Sequence, residues 1–422
     1  MTHAKAFDPA LLEGKAFHLD PYPTLRRLRD EHPVYYNPRS DMWWITRYDD
    51  VVAGFQNHDD LSSRIMEQSQ GVVFGPSITG MDGAEHDTKR AIIAPEFVGR
   101  RLEAFVPVIE KNARELIARF TEKAARELIE GFAETGKVDL VDQFSTRLPV
   151  NVIVEMLGLP KEDHDRFHSW YPIFLAGLGP DPERRSRGVA ANQEFHEYLE
   201  PFVQDRLANP GNDLISKLCS AEVDGERLSV LEIKAFTSLL LTAGGETTDK
   251  AIANLWWLLL NHPDQLAEVQ RDPSLIDQAF TETMRHSGPV GGEPRDVLRD
   301  TEFCGVTIQD GSTVHLSMHS ANHDERVFAQ PDEFNIFRDD LYFGKETRVG
   351  YHGGGKVSHL GFGLGKHFCV GYQMARTEAV IGSKFLLEAM TNIRIEPGRN
   401  PRMGEGTSMR SVLTLPLEFD PA

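Results

Sequence analysis

Cysteine is scarce in this 422-residue chain: the 3 present are Cys219, Cys304 and Cys369, far apart. A sparse, odd count excludes a disulfide framework and fits a reducing compartment. Long apolar runs are missing too. No window reaches the ~18 consecutive uncharged apolar residues that a membrane helix needs. The N-terminal stretch contains Asp8 and Glu13 and no apolar core of signal-peptide length. Positive charge is the minority: 45 Lys and Arg stand against 64 Asp and Glu, a formal net charge of −19. A field of that sign repels nucleic acid and anionic membrane. No repeat, low-complexity tract or Ser/Gly/Pro linker divides the chain. With 40% hydrophobic and 26% charged residues, disorder and collagen-like structure are also excluded. What remains is a soluble, cytoplasmic, globular protein with a sizeable core.

Helical periodicity dominates the first two thirds. Leu102, Phe105, Ile109, Ala113, Leu116, Ile117 and Phe120 recur at three- and four-residue steps and make one apolar face. Further helices are predicted over Arg147–Leu157, Gln193–Arg206, Leu231–Asn261, Pro263–Gln270 and Ser274–His286. At ~1.5 Å per residue, the helix from Leu231 is long enough to cross a whole domain. Strand-like segments are short. Pro33–Tyr36 and Met42–Thr46 flank the turn-rich Asn37–Asp41, and Glu302–Ile308 and Ser312–Leu316 flank Asp310-Gly311, so two hairpins are predicted. The fold class is mainly α with small β sheets, as one unit over residues 1–422. Asp340–Ser358, with mixed charges and Gly353–Gly355, reads as a loop.

That loop leads into His359-Leu-Gly-Phe362-Gly363-Leu-Gly365-Lys366-His367-Phe-Cys369-Val-Gly371, with a helical pattern from Val370 to Leu387. Glycines ahead of a helix let the backbone approach a ligand closely. A helix N-terminus near Cys369 is expected to lower its pKa, and such a thiolate suits a soft or borderline metal. A phosphate loop is excluded because His367 stands where Ser or Thr is required, and the glycine spacing is wrong. No glycine follows Gly361-x-Gly363 at the dinucleotide spacing. His359, His367 and Cys369 could hold zinc, but no second Cys/His pair accompanies them. By itself the segment leaves the metal open.

Phe362-Gly363-x-Gly365-x-His367-x-Cys369-x-Gly371 resembles the haem-binding signature of the cytochrome P-450 family, whose iron is held by a cysteine thiolate. Other segments agree in order and spacing. Glu282-Thr-Met-Arg285 resembles the family's ExxR pair, which the resemblance assigns to structure. Ala243-Gly244-Gly245-Glu246-Thr247-Thr248 resembles its oxygen-activation motif, implying a local opening of the long helix, with Glu246 as acid and Thr247 as hydroxyl donor. His86-Asp-Thr-Lys-Arg90 is similar to HxxxR, Arg295 occupies the position of a propionate arginine, and His359 that of a further propionate ligand. Asp20-Pro21-Tyr22-Pro23, Trp44–Val51 and Asn322-His323-Asp324-Glu325 match further landmarks, so the resemblance runs from about residue 18 to 420.

The resemblance implies the cytochrome P-450 fold and a monooxygenase that inserts one oxygen atom from O2. Haem b would lie among His86, Arg90, Ala243, Arg295, His359, Phe362, Gly363, His367, Cys369 and Gly371, with Cys369 as axial ligand. Its substrate would be a hydrophobic small molecule. Analogy of position places Val72, Val73, Phe74, Ile78, Ile173, Phe174, Leu239, Val290 and Met409 in the pocket. The chain ends about 50 residues after Cys369, so no fused reductase is expected. A separate ferredoxin and ferredoxin reductase would supply electrons to a monomer that binds neither nucleic acid nor membrane. Lys89, Arg100, Arg101, Lys366 and Arg376 are expected to form a cationic docking patch for that donor. The alternatives are a peroxide-driven peroxygenase and a non-enzymatic haem-thiolate sensor or carrier; neither needs the Glu246-Thr247 pair.

Overall fold

The residues that start and stop the longest helix can be read at its two ends. Ser229 and Glu232 form a reciprocal capping box, and Val230–Asn261 then runs to His262, next to Pro263. Proline lacks the N–H needed to continue a helix but is tolerated where the next one begins. This helix is buried on nearly every side, as a helix through the middle of a core must be.

The computed structural model describes residues 7–130, 134–345, 348–404 and 409–422. The helices that build the site are α1 (Gln70–Phe74), α2 (Gly83–Ile93), α3 (Val106–Ile129), α4 (Arg147–Met156), α5 (His164–Gly177), α6 (Pro182–Ala208), α7 (Val230–Asn261), α8 (Ile276–Ser287) and α9 (Tyr372–Ala389). Ile109, Ala113, Leu116, Ile117 and Phe120 are the buried face of α3, as their spacing predicts. The Gln193 start was too late. α6 begins at Pro182, capped by Asp181, and its polar first turns carry no apolar stripe to betray them. Around α7 pack α4, α5, α6, α8 and α9, and their buried side chains merge into the main core.

A five-stranded sheet orders Val34–Asn37, Met42–Ile45, Thr313–Leu316, Glu293–Val297 and Leu61–Ser62, with Val314 opposite Arg295 and Leu61 opposite Val297. The first predicted hairpin is present. The second is not. Thr301–Phe303 pairs with Val306–Ile308 around Cys304-Gly305, whose φ values of 48° and 76° make the tight turn, while Thr313–Leu316 joins the large sheet. A three-stranded sheet of Met390–Ile395, Pro416–Pro421 and Gly136–Asp139 closes the other end.

Glu282 and Arg285 lie one turn apart on α8 and are both fully buried. Arg285 grips the carboxylate at 2.7 and 2.8 Å and also donates to the carbonyls of Asn322, Pro331 and Glu333. Glu282 accepts the Asn335 N–H in turn. Asn322 passes the restraint on, because its side chain accepts the Leu360 N–H at 2.8 Å. One ion pair thus anchors both the 331–335 segment and the approach to the cysteine loop.

Candidate active site

Between α7 and the cysteine loop lies a cavity of about 800 Å³, with a predominantly apolar lining. Cys369 lines it from a loop held tightly in place. Its N–H donates to the Phe362 carbonyl at 2.9 Å. Gly365 has a φ of 70°, and a Cβ there would run into the Phe55 carbonyl, so no other residue fits. Helix α9 starts at Tyr372, later than Val370, which leaves Cys369 ahead of the helix with the Gly371 N–H directed at its sulfur. Burial pushes the Cys369 thiol up, against the opposing pull of that N–H and of Arg90. The expected lowering by the helix end is therefore outweighed by burial.

His86 and Arg90, four residues apart on α2, line the same cavity with Arg295 and His367. His86 Nε2 and Arg90 Nε are buried without a hydrogen-bond partner among the described residues. The rings of His86 and His367 lie 4.1 Å apart, and burial depresses His86 to about 4. Arg295 is buried, 3.8 Å from Glu293, and burial raises the pKa of that carboxyl. A buried guanidinium and a neutral imidazole with unused nitrogens beside an apolar cavity call for an anion with several oxygens. A thiol, these donors and an apolar slot suit a haem and its two carboxylates. They do not suit zinc: the described residues contain no group of three or more His, Cys, Asp and Glu able to hold a metal ion. His359, expected among these donors, is buried behind the loop; its Nδ1 accepts the Gly361 N–H, and it is not among the cavity-lining residues.

On the facing wall α7 presents Ala243, Gly244, Glu246, Thr247 and Thr248. The helix stays helical throughout Gly244-Gly245, so the expected opening is not observed. Packing explains the second glycine: a Cβ on Gly245 would lie 3.1 Å from Val150 and 3.2 Å from the Tyr171 ring. Thr247 donates its hydroxyl to the Ala243 carbonyl at 2.7 Å, which leaves the oxygen free to accept. Burial raises Glu246 to about 7; Lys250 opposes that rise and Asp249 adds to it. Behind them, Asp249 accepts from Ser145 at 2.7 Å and from Lys250 at 3.1 Å.

Sequence comparison settles the family. The cytochrome P450 family model matches residues 30–420. This chain is a cytochrome P450. Pulcherriminic acid synthase of Bacillus subtilis is 36% identical over 384 residues, covering 90% of each chain. Cyclomarin C epoxidase CymV of Salinispora arenicola is 32% identical over 379 residues, 88% of this chain and 89% of that one. The ligand-free structure of cytochrome P450 TbtJ1 superposes with a TM-score of 0.83 at 30% identity, covering 95% of this chain and 97% of that one. The P450 is thus an oxidoreductase of the monooxygenase class, and its family holds haem through a cysteine thiolate.

The P450 cavity also revises the expected pocket. Phe74, Ile78, Leu239, Val290 and Met409 line it, and Val290 bridges to Met409 through the backbone. Val72 and Ile173 do not; they face outward, 49% and 39% exposed. Val73 and Phe174 belong to the core instead. Position in sequence identified the right segments, but helix rotation decided which neighbour turned inward. The cations expected to form a docking patch are mostly paired with nearby carboxylates. Lys89 pairs with Glu232 at 2.9 Å, Arg101 with Glu96, Lys366 with Asp87 at 3.0 Å and Arg376 with Asp277, which leaves Arg100 of the five without an ion pair among the described residues. Among the cavity residues that escaped the sequence reading, Glu378 and Gln70 stand out. Glu378 has both carboxylate oxygens buried without a partner among the described residues, and burial pushes its pKa well up. Its signal was a glutamate on the buried stripe Met374, Ala375, Ala379, Gly382. Gln70 had none, because polar residues abound in the short helix turns around it.

Proposed function

We propose that this P450 oxidises a hydrophobic small molecule with O2, using haem b bound through Cys369 and electrons from a separate ferredoxin-type donor. When bound, haem supplies the oxygen chemistry. The chain's own residues do the rest. Cys369 provides the thiolate, and Phe362 and Gly371 hold it in place. Arg90 and Arg295 would neutralise the haem carboxylates and His86 and His367 would hydrogen-bond to them, while the apolar lining excludes water and positions the substrate. Glu246, poised near 7, passes protons inward, and the Thr247 oxygen accepts a hydrogen bond at the reacting centre. Glu282 and Arg285 act only on structure.

The observation that carries this reading is the shared cavity. A loop cysteine, unpaired cationic nitrogens and an acid–alcohol pair line one apolar space. The Glu246-Thr247 pair argues against the peroxygenase and carrier readings, which have no use for a proton route. The names of pulcherriminic acid synthase and cyclomarin C epoxidase support oxidation of a small molecule. Among the described residues no helix is long and apolar enough to cross a membrane, which supports a soluble cytoplasmic enzyme. We take the chain as one catalytic domain and a monomer.

The test is spectroscopic. The reduced carbon monoxide complex should show the thiolate-type Soret band, and Cys369→His should abolish it while Cys219→Ser and Cys304→Ser leave it intact. A band indifferent to Cys369 sinks the assignment. Product formed with hydrogen peroxide as efficiently as with NAD(P)H and donor proteins would favour the peroxygenase.

A further inference from the structure

Most polar side chains lining the cavity already have a task. Those near Cys369 answer an anion, and those on α7, with Glu378, lie where protons must move. Ser69, Gln70, Thr79, Thr242 and Ser411 are left among the described residues. Ser69 and Thr242 turn their hydroxyls to main-chain carbonyls, those of Met66 and Ser238. Thr79 donates to Gln70 Oε1 at 2.7 Å, and its own oxygen lies 2.8 Å from the Ser77 hydroxyl. This chain of hydroxyls occupies the amide oxygen and fixes the amide plane. The Nε2 group keeps two N–H donors, and no described residue accepts from them. Gln70 is also the sole amide side chain among the described lining residues. It opens α1, which packs on α6 and α7, so it belongs to the wall that carries Thr247 and not to the cysteine loop.

We propose that Gln70 recognises a carbonyl oxygen on the substrate, so that the substrate is an apolar molecule bearing an amide, lactam, ketone or ester carbonyl. A carbonyl entering an apolar cavity loses its water, and the Gln70 donors replace it. A site built this way discriminates against the analogue that lacks the acceptor, because the amide donors are then left unpaired. Thr79 is a positioning residue here: its hydroxyl keeps the nitrogen, not the oxygen, turned to the ligand. The inference rests on the reading of this cavity as the substrate site.

Benzophenone and diphenylmethane test it, since they share a shape and differ only in the bridging carbonyl. The ratio of their dissociation constants is measured on haem-loaded protein by the ferric spin-state shift, and separately by equilibrium dialysis. Gln70→Leu should shift that ratio toward diphenylmethane by about five- to tenfold, the worth of one neutral hydrogen bond. Thr79→Val should shift it in the same direction by less, because the amide is still present but free to turn. A ratio unchanged in Gln70→Leu, or no binding of either compound, overturns the proposal. Loss of the thiolate-type carbon monoxide band in the parent protein would instead sink the haem-thiolate reading, and the dialysis ratio distinguishes the two failures.

Discussion

In the proposed reaction two side chains on α7 carry the proton chemistry, and both have sharp signatures. Glu246 is half-buried at the cavity wall, and desolvation raises its carboxyl to about 7 against an ordinary 4.5. Product formed per NAD(P)H should fall as pH rises through about 7, while Glu246→Gln should give a low, flat profile. The same shift has a stability consequence of fixed sign. A carboxyl whose folded pKa is raised favours the fold below about 4.5 and loses that contribution as pH rises through about 7. Melting temperatures of native protein and Glu246→Gln should therefore diverge in favour of the variant between about pH 5 and about pH 8. Thr247→Ala keeps the cavity and removes an oxygen that can accept a hydrogen bond at the reacting centre. Positioned proton transfer is typically worth ~10²–10⁴, so coupling should drop at least tenfold with haem and ligand spectra unchanged. Unaltered coupling would assign Thr247 to helix structure through its Ala243 bond.

At the scale of elements, adjacent glycines on one helix should behave oppositely. A methyl on Gly245 presses on Val150 and Tyr171 at 3.1 and 3.2 Å, an overpacking that should cost about 1–3 kcal/mol. A methyl on Gly244 meets nothing within 4 Å, so Gly244→Ala should instead stabilise the helix by about 1 kcal/mol. Urea unfolding followed by circular dichroism separates the signs, and equal effects would refute the packing account. The α8 pair is the stronger constraint. Glu282→Gln leaves Arg285 charged and fully buried without its carboxylate. Breaking such a pair costs about 3–5 kcal/mol, and soluble yield and haem retention should both collapse.

Over the whole molecule, the net charge of −19 faces any acidic electron donor. Four of the five cations once expected to counter it are paired with nearby carboxylates. The residual field should repel an acidic ferredoxin. Raising ionic strength shortens the screening length from ~30 Å at 0.01 M to ~8 Å at 0.15 M, so reduction should become faster with salt. Stopped-flow reduction across that range checks it; a rate that falls with salt would reveal a cationic docking face elsewhere.

The cysteine loop was legible in the sequence because its constraints are local. Gly365 must adopt a positive φ against Phe55, and Cys369 must precede a helix, so residue types recur at fixed spacing. Long helices were legible for the same reason, through their apolar spacing. What the sequence could not settle depends on the direction in which side chains point once elements pack. Val72 and Phe74 are neighbours on one turn of α1, yet one faces outward and the other faces the cavity. Gln70 has its amide oxygen occupied only because Thr79, nine residues on, folds back to donate to it. Charges behaved likewise: Lys89 and Glu232 meet at 2.9 Å from helices far apart in sequence. A cation's partner is set by the packing of helices, and no single-chain pattern encodes that meeting.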